Sequence, residues 1–434
     1  KSYEGCICKS PDDRNEYKGT ACRERRCGQG QRQTGVILIT ALKRIALIFF
    51  TWFTVFFLSA CWDRREMNSI SYVLGVGLDP CTEKELELTL QVAKMEETSK
   101  SSQGRGGEGS SQESEDGKAF INLKAECGPI FSQVRKFNKQ YGRKPFFQQN
   151  YAIIFNEEVA RRGLKKYLDF FLRDHETRQN VWVLVSEGMA RDILSIEPKF
   201  EKIPAVKIDK LIHNQVSLSA SAGVKLIELV QKLENKDIDP LLTLVKKESG
   251  DQDEDIVTIE GMAVFKHDKY VGSIDKVATR GYLWAKGKVE GGIINASIDE
   301  NSFCAVEIKK TSGKMKVKVG EDNTVSVSIK AKCTGDLGEL KGFEGVGVKD
   351  VIKAAREGAS KVIEDEIKAA FEKSAEYESD FLGIGDYIRR HDTKKWIEIK
   401  EGWYSMLPGV QLDVKAEVKI DEIGEINKLE NPPS

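Results

Sequence analysis

A mixed α/β fold of overall α+β type follows from three patterns in this sequence. Residues 119–194 alternate short apolar runs with capped helical segments; residues 303–332 and 410–420 alternate apolar and polar side chains; and a helical stripe runs from about Lys349 to Glu378 between those strands. The expected architecture is an N-terminal α/β domain, a middle helical or linking region, and a C-terminal antiparallel sheet with a long helix packed across it. Composition agrees with a folded body, at 40% hydrophobic and 31% charged residues. With 67 basic against 68 acidic side chains there is no excess charge to attract nucleic acid, and none is expected as a partner.

The order begins with a membrane signal. Lys43 and Arg44 precede an apolar run of 14 residues, Ile45 to Leu58, which ends at Leu58-Ser59-Ala60-Cys61. A helix that crosses a bilayer needs about 20 apolar residues, so the run fits a cleaved export signal better than a permanent span. Its last four residues resemble a bacterial lipobox, in which the cysteine sulfur is acylated and becomes the N-terminus. That resemblance makes 42–60 a lipoprotein signal peptide and Cys61 the lipid anchor; two or more acyl chains hold a protein stably on a bilayer. The alternatives are a secretory signal cut near Ala60 and an uncleaved N-terminal anchor. All three export the body. Residues 1–41, rich in Arg, Gly and Cys, lack the paired spacing of a zinc module and are read as an N-terminal extension outside the mature protein.

Behind the anchor, Trp62-Asp63-Arg64-Arg65-Glu66 would sit at headgroup level, as a spacer or a contact with a membrane partner. The first domain, 61–197, opens with a hairpin from Ser69 to Val92, followed by a polar loop, 98–117, that has nothing to bury and is expected to be mobile. A strand from Phe120, a helix opened by Gly128-Pro129 and a buried strand Tyr151–Phe155 follow. Asn156 then caps a helix with Glu157 and Glu158 at its positive end, Arg161 and Arg162 at its negative end, and Gly163 as its stop. A helix to Arg173, a strand Val181–Val185 and a helix through Met189 to Leu194 complete the domain. Residues 198–255 read as a middle linking region broken by Pro204 and Pro240, with one amphipathic helix.

The C-terminal domain, 256–434, starts with a hairpin around His267-Asp268, read as a solvated turn. A second hairpin is expected around Ser312-Gly313, then an alternating strand from Val325, the long helix, a short helix at Asp386–Arg390 and a last strand at 410–420. Four cysteines remain after Cys61. Cys81, Cys127, Cys304 and Cys333 are read as free, mostly buried thiols, although Cys304 and Cys333 would approach if their strands pair.

No catalytic signature emerges. The four histidines are scattered, there is no HExxH, GxSxG or GxxxxGK[ST] pattern, and no catalytic residue, cofactor or metal site is expected. Asp380, Gly383 and Gly385 follow the long helix as a structural or partner-contact motif, where glycine signals a tight turn.

Several motifs then resemble one family. Trp62-Asp63-Arg64-Arg65-Glu66 behind a lipobox, Gly261-x-Ala263-Val264-Phe265-Lys266-x-Asp268-Lys269-x-Val271-Gly272, Arg280-Gly281-Tyr282-Leu283-Trp284 and Ser379-Asp380-Phe381-x-Gly383-x-Gly385 are similar to the Ger(x)C spore germination proteins. Phe170 to Asp174 and Asn180 to Val183 extend the likeness into the N-terminal half. It departs at the loop 98–117, at Lys276-Val277-Ala278 and at Gln148-Gln149-Asn150. The resemblance implies a non-enzymatic lipoprotein subunit of a nutrient germinant receptor, held on the outer face of the spore inner membrane beside integral-membrane subunits of A and B type. The rival readings are a solute-binding lipoprotein of a membrane transporter, which needs two lobes and a ligand cleft, and a secreted envelope hydrolase.

Overall fold

The computed structural model describes residues 42–53, 69–94, 118–250 and 254–421. The anchor Cys61, the segment Trp62 to Glu66, the extension 1–41 and the polar loop 98–117 lie outside the described residues. Residues 42–53 are helical, with their apolar side chains exposed, and belong to a unit of residues 1–66. Among the described residues no helix is long and apolar enough to cross a membrane.

The second unit, 67–434, carries two sheets. Strands β1 (Ile70–Pro80) and β2 (Leu86–Ala93) form the expected hairpin, and β3 (Phe120–Lys124) extends it antiparallel. After helix α1 (Ile130–Tyr141) and the short β4 (Lys144–Phe146), strand β5 (Ala152–Asn156) pairs parallel with β1. Helices α2 (Glu157–Arg161) and α3 (Lys165–Arg173) cross over to β6 (Trp182–Glu187), which pairs parallel with β5. Asn156 does cap α2, its side chain accepting from the Glu158 N–H at 2.8 Å.

Residues 198–255 do more than link. Pro204 occupies the first turn of helix α5 (Pro204–Ser217), which follows the short α4 (Ala190–Ile193); a missing N–H costs nothing there, so this proline starts a helix instead of breaking one. After α6 (Leu226–Glu234), strand β7 (Leu241–Ser249) enters the sheet parallel to β6. Strands β8 (Asp255–Lys266) and β9 (Lys269–Ile274), the hairpin expected in the C-terminal domain, continue the same sheet, in the order β3-β2-β1-β5-β6-β7-β8-β9 with β4 beside β1. The central strands are buried on both faces, as parallel strands between layers are. Ala152, Ile154, Leu184 and Val245 pack toward α4 and α5; Ile153, Phe155, Val183, Val185 and Leu244 face the main core.

The second sheet has the order β10 (Ile293–Ser297), β11 (Phe303–Val319), β12 (Val325–Lys341), β13 (Gln411–Ile420). Its first three strands are antiparallel as expected, but β13 joins parallel to β12. The reason is the connection: the long helix α8 (Val348–Glu376), then α9 (Ile384–His391), α10 (Thr393–Ile399) and α11 (Trp403–Met406), carry the chain back to the starting end, as a parallel crossover requires. Ser312-Gly313 is not a turn. β11 runs through it unbroken and turns at residues 320–324 instead. Gly313 is there for closeness, since a Cβ would lie 2.1 Å from the Trp284 carbonyl oxygen, near the end of helix α7 (Lys276–Lys286).

The cysteine expectation is half corrected. Cys81 and Cys127 form a disulfide, with Cα atoms 6.0 Å apart, because β2 draws both neighbourhoods together through its Leu86–Gly128 bridge. Cys304 and Cys333 are free and buried, but the register sets them opposite Leu340 and Thr311 and not each other. Burial pushes the Cys333 thiol up to about 11.

The disulfide spans a sequence separation of 46, and by loop-closure entropy its loss should cost about 4 kcal/mol. Urea unfolding of a Cys81→Ser/Cys127→Ser variant should show a clearly lower midpoint; an unchanged midpoint would mean the crosslink does not form.

Candidate functional site

Of the site residues expected from sequence, Asp380, Gly383 and Gly385 lie within the described residues, in a buried joint between the two sheets. The joint begins where α8 stops. Glu378 takes a left-handed φ of 46°, so that its own N–H reaches the Ala375 carbonyl and the Ser379 N–H reaches the Ser374 carbonyl at 3.0 Å. This pair of bonds satisfies the orphan carbonyls of the helix end. The chain then turns inward at Asp380, which is 1% exposed.

The Asp380 carboxylate accepts from the Ile384 N–H at 2.8 Å, the Gly385 N–H at 2.6 Å and the Trp403 indole at 2.9 Å. Two of these donors are the first free N–H groups of α9, so Asp380 caps that helix. Gly383 makes the turn with φ 67°, and Gly385 lets the Trp396 and Trp403 rings close on the backbone, since a Cβ there would stand 2.6 Å from Trp396.

A second buried carboxylate completes the joint, and sequence reasoning missed it. Asp239, just ahead of β7, accepts from the Asp380 N–H at 2.8 Å, the His267 N–H at 2.6 Å and the Tyr404 hydroxyl at 3.2 Å. Its own N–H donates to the Asp380 carbonyl at 3.1 Å. The His267 turn is therefore held from within, although its imidazole remains exposed; Tyr404 lies edge-on to that ring. Burial raises the pKa of both aspartates, Asp380 to about 6, against the pull of the donors. Lys286, whose own pKa burial lowers, donates to the Leu382 carbonyl at 2.6 Å nearby.

The other motifs meet the same joint. Gly281 is where α7 crosses α8: a Cβ would fall 1.8 Å from the Glu366 carbonyl oxygen. On either side of it, Arg280 forks onto the buried Glu366 carboxylate and the Trp284 indole donates to it at 2.9 Å. Gly272 makes room for the Tyr377 ring, whose hydroxyl donates to the Ser273 carbonyl at 3.0 Å. Ser379 donates to the Phe265 carbonyl at 2.6 Å, and Lys266 pairs with Glu378 at 2.8 Å. These side chains are spent on contacts with one another and with backbone carbonyls. Among the described residues no group of three or more His, Cys, Asp or Glu could hold a metal ion.

A cleft of about 760 Å³ lies elsewhere, between α1 and α3, lined by Phe131, Val134, Phe147 and Phe170. Its polar edge includes the Lys144–Glu176 pair at 2.6 Å, with Arg135, Asp169 and Arg173. It belongs to one domain and does not separate two lobes. No local pattern announces it, because its walls come from four separate segments.

Two family models match the chain: spore germination protein N-terminal domain over residues 63–247, and spore germination B3/GerAC like, C-terminal, over residues 260–424. Spore germination protein KC of Bacillus subtilis is 24% identical, the match covering 86% of this chain and 94% of that protein. Spore germination protein A3 of the same organism is 23% identical, covering 85% of this chain and 95% of that protein. The crystal structure of the GerBC protein aligns with a TM-score of 0.49 at 17% identity, over 80% of this chain and 96% of that one.

Two measurements test the joint. Gly281→Ala should destabilise by about 3 kcal/mol through overpacking against helix backbone; an unchanged melting temperature would show that α7 and α8 do not touch there. The pH dependence is the second. The pKa of Asp380 rises from 3.8 to about 6 in the folded state. Its stabilising proton is therefore fully held below pH about 4 and lost as pH rises through about 6. Relative to the non-titrating Asp380→Asn variant, the wild type should lose about 3 kcal/mol between pH 4 and pH 7. A constant difference across that range would show a carboxyl that titrates as in water.

Proposed function

We propose a function from one premise: the chain belongs to the GerAC, or Ger(x)C, family of spore germination proteins, the C subunits of germinant receptors. Within it the chain acts as a non-enzymatic lipoprotein, anchored through acylated Cys61 to the outer face of the spore inner membrane. There it works with integral-membrane subunits of A and B type in nutrient-triggered germination. Trp62 to Glu66, directly behind the anchor, form the stretch nearest those partners.

The observation that carries this reading is the joint. Asp380, Gly383, Gly385, Arg280, Gly281 and Trp284 spend their chemistry on holding the first sheet and α7 to the helices that pack on the second sheet, which suits a body that transmits force or position between partners. Tethering supports it, because an anchored body meets its neighbours at high effective concentration and weak interfaces suffice. The Cys81–Cys127 disulfide supports export, since such bonds persist in oxidising compartments. The solute-binding alternative is not favoured: its ligand would lie between two lobes, whereas one sheet here runs unbroken from β3 to β9.

Cys61→Ala should leave the melting temperature unchanged while the protein is lost from the spore inner membrane and nutrient response is abolished. Full germination with the soluble variant would refute the proposal. Co-purification of the lipidated wild type with transporter subunits, in place of two multi-span receptor subunits, would move it to the solute-binding alternative.

A further inference from the structure

The outer face of the second sheet is a lysine grid. Five rows cross β11, β12 and β13, from Lys310–Thr334–Lys419 at one end to Lys318–Ser326–Gln411 at the other. Eight of these fifteen positions are lysine; two, Asp413 and Glu417, are acidic; and the rest are Ser, Thr or Gln. The whole chain has a net charge of only −1, so this face is a local departure from balance. The opposite face, with Val327, Ile329 and Ala331, is buried in the core, which fixes the lysines outward through the period of two.

The middle row works against folding. Lys314, Lys330 and Lys415 stand directly opposite one another on three adjacent strands, and like charges so placed destabilise a sheet. The flanking rows supply partial offsets: Glu417 pairs with Lys332 at 2.9 Å, Asp413 stands in the row on the other side, and Lys419 at the edge pairs with Asp421. Within the middle row itself no acidic residue stands opposite a lysine. A cost at the centre of an ordered, exposed surface points to an anionic partner that removes it.

We propose that this sheet face docks on an anionic phospholipid surface. The grid is about 27 Å by 10 Å from strand spacing, a two-dimensional array of charge as a headgroup layer is. Lysine stems are long enough to carry their charges to that layer while the backbone stays outside it. Protein interfaces are depleted of lysine and enriched in aromatics and arginine, and single-stranded nucleic acid is held by stacking aromatics. No aromatic or arginine occupies any of the fifteen positions. The inference rests on the membrane placement above for the identity of the surface. It adds a second contact, which would fix how the anchored body lies.

The test uses the full chain carrying Cys61→Ala, so that no acyl group contributes, in flotation with phosphatidylglycerol-containing and pure phosphatidylcholine vesicles. The readout is the ratio of the two affinities, compared between chains that share segment 42–53 with its Lys43 and Arg44, so that the contribution of that segment cancels. Each lysine near an anionic surface contributes about 1 kcal/mol, so adding Lys314→Gln, Lys330→Gln and Lys415→Gln should lower the ratio on the order of 100-fold at low salt. The melting temperature should hold or rise as the repulsion is relieved. An unchanged ratio overturns the proposal, as does stronger binding to polyglutamate or DNA than to the anionic vesicles. Failure of the anchor would appear separately, as an unacylated Cys61 peptide from spores, and would leave the vesicle ratio untouched.

Discussion

The pairing of Asp239 with Asp380 is the constraint on which the rest of the body depends. Two carboxylates are taken out of water, at a cost visible in their raised pKa values, and together they satisfy backbone donors from the β8–β9 turn and the start of α9, with Trp403 and Tyr404 closing over them. Removing either leaves several buried donors without partners, each costing about 1 to 3 kcal/mol. A hydrophobic pair of similar size could fill the space, but it could not terminate two chain segments at once. What the carboxylates supply is a defined junction between a nine-stranded and a four-stranded sheet.

Around that pair the glycines act by absence. Gly281 and Gly313 sit where helix backbone meets helix or strand backbone, at distances no Cβ tolerates. With Arg280 and Trp284 converging on Glu366, the α7–α8 crossing is fixed by both shape and charge. Motifs of this kind resemble catalytic signatures in a sequence, because glycines, aspartates and aromatics cluster in both. Here the same residue types produce rigidity.

Legibility in the sequence tracks how local the deciding interaction is. The Asn156 cap, the stripe of α8 and the alternation in β12 are set by residues a few positions apart, and each could be read directly. The glycine at 313 was misread as a turn because its reason, the Trp284 carbonyl, lies 29 positions earlier in the chain. Asp239 gives no signal at all: an aspartate before a proline looks like loop, and its partners arrive from Asp380, His267 and Tyr404. The Cys81–Cys127 bond is silent for the same reason. The parallel direction of β13 depends on which end of the sheet the crossover returns to, and strand periodicity is blind to that. The joint was legible as a motif but not as a joint.

Two sheets that move together would pass a displacement of one to the other, which the proposed coupling role requires. Scanning calorimetry of the full chain measures this directly. A single transition is expected for the body, with calorimetric and van't Hoff enthalpies equal. Two resolved transitions, with the first sheet and the β10–β13 layer melting apart, would contradict it, because the Asp239–Asp380 joint would then not bind them into one folding unit.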